Sequence, residues 1–456
     1  MEKLHTYDEA ALLLKNMSSA AIALLGSALA VWVALVVVSI TYIYRRVPSV
    51  TLPKVSLHKK TIVVEEDRTP VDAQEAQYPI RHETAKSKKG NPTQNKNKGS
   101  KTAAPAAAHP LLLNTLKGHN DTVTGLSFAA SSDHLRLATS CLDQTVRIFK
   151  LDDLAAKSFH MIRINLEREQ AVGVVFGKSA DDVIIAAAGA SGGTRLCQYF
   201  VPSEHGKQPE MKWQVKEAHG NQFHITSLAA ASATGRPSIA LSCSNFNTNL
   251  GLWYASTGKL VEMVNTNQLV NNGMAISPDG RFFAAATFTA DVKIWELSWG
   301  KGAMDTNVKV ERVMTLQGHK GAITSVAFNH DSTQVVTCSK DQTWRVWNIN
   351  VRYQVSEDPK VIREGRCVPF EKGVFYTRMD LSPKGVLAAT VGPQERNLHF
   401  INTATGELVE EVLLAHDGPI TSIVWAPHLK GRAGPELLAT SSEDKKVKLW
   451  KSPVMI

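Results

Sequence analysis

An all-β fold, a ring of seven antiparallel sheets set like the blades of a propeller, is what the sequence predicts, on three observations. First, the stretch from Gly318-His319 to Trp347 holds two short runs of alternating apolar residues separated by Asn329-His330-Asp331-Ser332, the period of antiparallel strands joined by a turn. Second, an aromatic residue equivalent to Trp347 recurs as Phe149, Tyr199, Trp253, Trp295, Trp347, Phe400 and Trp450, at intervals of 50, 54, 42, 52, 53 and 50 residues. One such unit cannot bury both of its faces, so a repeat of this length implies neighbours that cover them. Third, the last unit supplies three strands before Ile456, whereas residues 111–116 form an apolar segment with no earlier strands of its own. The two together predict one sheet built from both ends of the domain, which closes the ring and leaves few exposed edges.

The propeller is placed over residues 110–456, and the chain before it divides into a short segment 1–18, a transmembrane helix 19–44 and a flexible basic linker 45–109. No charged residue stands between Lys15 and Arg45, and a bilayer core of roughly 30 Å needs about 20 such residues as a helix. Ser18 and Ser19 fall at its start, Tyr42, Tyr44, Arg45 and Arg46 at its far interface. A cleaved signal peptide would want a basic N-terminus, a shorter apolar core and a small-residue cleavage site; here the first residues are slightly acidic and the run ends in Tyr42-Ile43-Tyr44. Arg45, Arg46, Lys54, Lys59 and Lys60 follow the span closely, which places the propeller in the cytosol by the positive-inside rule. Gly26, Ala30 and Ala34 lie four apart, either a ridge for helix pairing or ordinary small residues of an Ala-rich span.

The formal charge of +9 belongs mainly to the linker, since residues 45–110 carry 13 basic against six acidic side chains. The propeller is nearly balanced, so its charge does not demand a nucleic-acid-binding face. The linker composition, rich in Lys, Asn, Pro, Gln and Ser, cannot bury enough apolar surface to fold, and as a coil it reaches roughly 45 Å. Lys86, Lys88, Lys89, Lys96, Lys98 and Lys101 are candidate contacts to anionic lipid or to RNA; the alternative is a solvated linker.

With the blades numbered by the recurring aromatics, blade 5 carries His319, Ser339, Asp341 and Trp347 at the spacing of the WD40 repeat, which it resembles. What the resemblance implies is a buried network in which Asp341 holds His319, His319 bonds Ser339, and the Ser339 hydroxyl reaches the Trp347 indole. Such a network is stable only when every member is paired. Blade 7 repeats it as His416, Ser442, Asp444 and Trp450. Blade 1 has His119 and Asp143, with Cys141 and Phe149 in place of the hydroxyl and the indole, and blades 2, 3, 4 and 6 lack the full set. His, Ser and Asp that recur in separate blades and end on an indole do not read as a hydrolase triad.

Residues 189–193 match GxSxG around Ser191, yet Thr194–Phe200 alternates as a strand where a nucleophile elbow requires a helix. No phosphate loop, dinucleotide fingerprint or metal-ligand cluster appears, so neither cofactor nor small-molecule substrate is expected, and the chain is read as a non-enzyme. Cys141, Cys197, Cys243, Cys338 and Cys367 show no CxxC pair, and four of them fall in or beside inner strands, as apolar thiols of a reducing compartment do. In blade 4 the octet from Asn265 to Asn272 and the turn at Phe288-Thr289-Ala290 open at the same end of the ring. Asn265, Asn267, Gln268, Asn271, Asn272 and Phe288 therefore either form a partner-binding patch or satisfy backbone groups in a blade without the usual network.

The Asn265-Thr266-Asn267-Gln268 stretch, the Pro278-Asp279-Gly280 turn and the strand ending at Trp295 together resemble the transducin β-like 2 family of WD40 proteins, which also share an apolar N-terminal span and a basic tether. The resemblance implies a non-catalytic scaffold for protein partners on the endoplasmic reticulum membrane, facing the cytosol, with a link to stress (unfolded-protein) signalling through a kinase partner. The insert from His428 to Pro435 departs from that pattern. Two other readings stay open: a nucleotide-exchange factor for a small GTPase of vesicle budding, and an RNA-associated protein acting through the linker lysines.

Overall fold

In a computed structural model the described residues are 109–454, apart from 131–134, 190–191, 203–205, 221–223, 233–235, 245–247, 269, 301–307, 393 and 428–434. The expected membrane span, residues 45–108 of the linker with its six lysines, Ser191 and most of the blade 7 insert lie outside them. Among the described residues no helix is long and apolar enough to cross a membrane.

The described strands form seven four-stranded antiparallel sheets, over residues 123–165, 169–215, 225–265, 271–316, 323–366, 376–412, and 420–451 completed by 112–116. Within each of the first six, consecutive strands pair in chain order, and the first strand lines an axial channel of about 630 Å³. The seventh sheet is built from both ends: Leu112–Leu116 lies antiparallel to Val447–Lys451, with Leu112 opposite Trp450 and Leu116 opposite Val447. The Lys451 amide adds a bond to the Leu111 carbonyl at 2.9 Å.

Seven apolar clusters hold the ring, one at each junction between blades. Between blades 4 and 5, for example, Phe282, Ala284 and Ile294 meet Val326, Val335 and Trp347. A sheet covered on both faces buries its second strand throughout, as in Leu135–Cys141, where every residue is buried. The alternation expected of half-buried strands is therefore confined to the flanks, and the outer strand Lys360–Arg366 is exposed at six of seven positions.

A feature not foreseen from the sequence locks neighbouring blades together. Every inner strand slips register at one residue near its start: Thr124, Val172, Thr226, Asn272, Thr324, Thr377 and Thr421. A bulge turns that residue out of the ladder and re-aims its side chain. Thr124 donates to the Ala171 carbonyl at 2.7 Å, Asn272 to Ile323 at 2.6 Å and Thr324 to Tyr376 at 2.6 Å, and Thr421 closes the ring onto Val123. In blade 6 Thr377 bonds Thr390 instead, and the next residue, Arg378, reaches the Ile420 carbonyl through Nε at 3.2 Å. Val172 has no donor, and the Thr226 hydroxyl reaches Cys243 of its own blade at 3.5 Å. Five junctions are thus stapled at or beside the bulge, and among the described residues those from blade 2 to 3 and from blade 3 to 4 lack that bond, although Ser232 reaches the Gly177 carbonyl at 3.1 Å across the former.

Candidate functional site

In blade 5, Asp341 sits in the tight turn between Gln334–Ser339 and Thr343–Asn348. Its carboxylate accepts the Lys320 amide at 2.8 Å, the Thr343 amide at 2.9 Å and the Thr343 hydroxyl at 2.7 Å. It also meets His319 Nδ1 at 3.0 Å. That contact fixes the tautomer: Nδ1 carries the proton, so Nε2 accepts from the Thr337 hydroxyl at 2.8 Å, which in turn accepts the Trp347 indole N–H at 2.9 Å. Burial alone would raise the Asp341 carboxyl, but the bonds from His319, Lys320 and Thr343 outweigh it and hold the group far below the usual range.

The hydroxyl in this chain is Thr337, not Ser339, which corrects the expectation. Ser339 instead donates to the Gly321 carbonyl at 2.9 Å and accepts the Asp341 amide at 3.2 Å, so it shapes the turn. Blade 7 is built alike. His416 bonds Asp444 at 2.9 Å and Thr440 at 2.8 Å, Thr440 accepts the Trp450 indole at 2.8 Å, and Ser442 serves the turn through the Gly418 carbonyl. Burial again opposes ionisation of Asp444, yet the His416 bond and charge, joined by the Asp417 and Lys446 amides, hold it at about 2.

Blade 1 is shortened at both ends. His119 meets a hydroxyl after all, Thr139 at 3.0 Å, while Phe149 supplies no indole N–H. Asp143 turns to Arg147 at 2.9 Å, and among the described residues His119 Nδ1 is buried without a partner. Cys141 occupies the position of Ser339 and donates to the Asp121 carbonyl at 3.2 Å. Blade 3 holds a network the sequence reading missed: His219 meets Ser242 at 2.8 Å and Ser242 accepts the Trp253 indole at 2.8 Å. Its signal was present, since Ser242 stands two residues past Ala240, the cross-strand partner of Trp253. In blade 4 the equivalent residue is Ala285, and Trp295 stacks on Phe283 instead, with ring centroids 5.2 Å apart.

The blade 4 amides are largely committed inside the protein. Asn265 accepts from Thr248 and from the Asn267 amide, Asn271 is buried and accepts from Thr266 at 3.1 Å, Gln268 is buried and accepts from Thr289, and Asn272 is the staple onto blade 5. Of the six residues, Asn267, held at φ 52°, and Phe288, 53 % exposed, remain presented without such a role. Sequence reading also passed over other apolar side chains at this end. Val368 and Phe370 lie exposed in the loop entering blade 6, and Leu413 and Leu414 in the loop entering blade 7. Leu414 has φ 49°, a conformation uncommon for a residue with a Cβ, and is 67 % exposed. The Arg366 guanidinium lies 4.7 Å from the Phe370 ring centroid.

All five cysteines are buried and unpaired. Burial raises every thiol, Cys141 and Cys243 to about 11 and Cys197 and Cys367 to about 12, which leaves them protonated and poorly nucleophilic. Among the described residues no three His, Cys, Asp or Glu side chains converge as metal ligands. Thr194–Phe200, after the GxSxG match, is a strand.

Three stretches, 111–150, 310–348 and 408–451, match the model of the WD domain, G-beta repeat. Each ends in a blade that carries both the His and the Asp: blades 1, 5 and 7. The chain is 30 % identical to transducin beta-like protein 2 of Mus musculus over 318 residues, 70 % of this chain and 68 % of that protein. It is 31 % identical to transducin beta-like protein 2 of Homo sapiens over 305 residues, 66 % of this chain and 64 % of that one. A more distant likeness, 25 % over 186 residues, covers 39 % of this chain and 40 % of a ribosome biogenesis protein WDR12 homolog of Drosophila mojavensis. In fold, the crystal structure of the WD40 β-propeller domain of Doa1 superposes with a TM-score of 0.53 at 17 % identity, covering 75 % of this chain and 97 % of that one.

Proposed function

The chain belongs to the transducin β-like protein 2 family of WD40 proteins, and from that premise we propose that it is a membrane-tethered, non-catalytic scaffold that gathers protein partners on the cytosolic face of the endoplasmic reticulum. The observation that carries the reading is the placement of exposed apolar side chains. Phe288, Val368, Phe370, Leu413 and Leu414 all stand on loops at one end of the ring, and apolar residues gathered on a rigid surface of loops suit a protein interface. The polar networks at that end support binding rather than catalysis, since each runs inward to a buried residue instead of opening on a cleft. The uncharged run of residues 19–44 supplies the anchor, the lysines of 45–109 contribute attraction to anionic headgroups, and a tether raises the effective concentration of partners on the same membrane. A kinase of stress signalling is the partner class that the family resemblance suggests.

The test combines protease protection of a C-terminal tag on intact microsomes with proximity labelling from the same tag. A digested tag and a set of cytosol-facing neighbours that is lost in the double variant Phe370→Ser, Leu414→Asn are the expected results. Asn accepts the left-handed backbone of residue 414, so the variant should keep its unfolding midpoint. A protected tag, or neighbours unchanged in the variant, overturns the reading.

A further inference from the structure

The residue that follows each bulge lies on the same inner strand in every blade: Gly125, Gly173, Ser227, Gly273, Ser325, Arg378 and Ser422. Six blades keep this position small and blade 6 does not. Arg378 is exposed, yet what it is exposed to is the axial channel, whose lining also includes Ser227, Ser325 and Ser422. Its Nε is fixed on the Ile420 carbonyl at 3.2 Å, and among the described residues its guanidinium makes no ion pair. The other titratable groups of the lining are His330 and Asp380. Asp380 does not answer Arg378, because its carboxylate accepts the backbone amides of Trp425 at 2.7 Å and Leu381 at 2.9 Å. A guanidinium held at Nε keeps its two terminal nitrogens as a preorganised fork for an oxyanion.

We infer that the axial channel is a binding site for a carboxylate of a partner polypeptide, an Asp or Glu side chain or a chain terminus, received by the Arg378 fork with the serine hydroxyls beside it. The inference deepens the scaffold reading and rests on it. A volume of about 630 Å³ lies within the range of about 300–1,000 Å³ typical of small-ligand sites. The charge selects the class. One guanidinium balances one carboxylate, whereas a phosphate dianion would leave a charge uncompensated in a channel whose lining already holds Asp380. The approach is from the apolar end, because Arg378 is the third residue of Tyr376–Leu381 and that strand begins at the loop bearing Phe370. A partner resting on Phe370 and Leu414 would thus have the channel mouth within its footprint.

The experiment is a binding titration of the full chain in detergent with four probes: acetyl-Gly-Gly-Glu-Gly-Gly-amide, its Gln counterpart, acetyl-pentaglycine with a free carboxylate, and inorganic phosphate. Wild-type protein should bind one of the two carboxylate peptides at least ~10-fold more tightly than the Gln amide, which matches a charge-assisted hydrogen bond. Preference for the Glu peptide assigns a side chain, and preference for pentaglycine assigns a chain terminus. Arg378→Ser, which installs the residue of three other blades and removes the bond to Ile420, should abolish the preference in a chain that still unfolds cooperatively, its midpoint lowered by no more than the loss of that one bond, and Arg378→Lys, which keeps the charge without the fork, should retain only part of the preference. Equal binding of the Glu and Gln peptides with pentaglycine no tighter, a preference that survives Arg378→Ser, or phosphate bound more tightly than every peptide overturns the inference. The scaffold reading is judged separately by the neighbours lost from the Phe370→Ser, Leu414→Asn chain, so the failure of one is distinguishable from the failure of the other.

Discussion

Replacing Thr337 by Val separates the network that the structure shows from the one the repeat's spacing suggests. Val keeps the shape and removes the hydroxyl that accepts the Trp347 indole N–H at 2.9 Å and serves His319 Nε2 at 2.8 Å. Trp347 is 2 % exposed and His319 6 %, so water cannot replace either bond. Two stranded polar groups at about 1–3 kcal/mol each give a loss of about 2–6 kcal/mol. Ser339→Ala instead deletes one bond to the Gly321 carbonyl and one from the Asp341 amide, each of ordinary strength at about 1 kcal/mol. Urea unfolding of the two variants beside wild type, followed by tryptophan fluorescence, reads the order directly. Thr337→Val should unfold at distinctly lower urea than Ser339→Ala. Equal losses, or the reverse order, would show that the hydroxyl beneath the indole is Ser339 and that Thr337 does not link His319 to Trp347.

Three further outcomes are expected. Thr421→Val, which removes the bond from blade 7 to Val123, should cost about 1 kcal/mol, whereas Thr226→Val at an unstapled junction should cost little, as paired urea titrations would show. Burial, with Arg147 adding to it, lowers His119 to about 4, and burial lowers His219 to about 4. Both folded values lie below the unfolded value of about 6.5, so the unfolded chain takes up protons first. Stability should be complete above pH 6.5 and fall toward pH 4 by on the order of 3 kcal/mol for each residue, a slope that His219→Gln should reduce. Burial raises the Asp380 carboxyl to about 6. The folded chain therefore keeps that proton longer than the unfolded one, and the penalty grows as pH rises from about 4 to 6. Asp380→Asn should flatten that part of the stability profile.

The number of blades and the composite seventh sheet were legible because they rest on apolar period and on the spacing of the aromatics, which the chain states locally. The identity of the network hydroxyl was not. Thr337 and Ser339 lie two apart on one strand and so share a face, and alternation cannot choose between them. What chooses is the rung on which the indole lands: Trp347 stands opposite Val335, two residues from Thr337 and four from Ser339. The same limit hid the blade 3 network, whose members are legible only once Trp253 is set opposite Ala240. The blade 4 octet left two readings open, a partner patch or amides satisfied internally, because composition does not say where a side chain turns. A bulge and a missing His give Asn272 and Gln268 internal partners. The staples were invisible because each joins a side chain to a backbone carbonyl of the next blade, about 40 to 50 residues away or, for Thr421, at the other end of the domain, and carbonyls leave no mark in a sequence.

The distribution of these devices around the ring is uneven, and the unevenness has a consequence for how the propeller opens. Blade 7 joins residues more than 300 apart and has no covalent turn to its outer strand, so by connectivity alone it is the weak point, with a large closure entropy. It is also, with blade 5, one of the two most braced. It holds a complete Asp444–His416–Thr440–Trp450 network, and staples from Arg378 and Thr421 bind it to blades 6 and 1. The reverse holds on the opposite arc, where chain connectivity is continuous but Val172 and Thr226 leave two adjacent junctions without the bulge staple and, among the described residues, His219 Nδ1 is buried without a partner. Local opening follows the weakest set of interactions rather than the chain ends. Native-state hydrogen exchange should therefore be faster in the second strand of blade 3, Ile239–Ser244, than in its counterpart in blade 7, Leu437–Ser442, although both are buried at every residue. Faster exchange in blade 7 would mean that chain closure, and not the staples, sets where the ring yields.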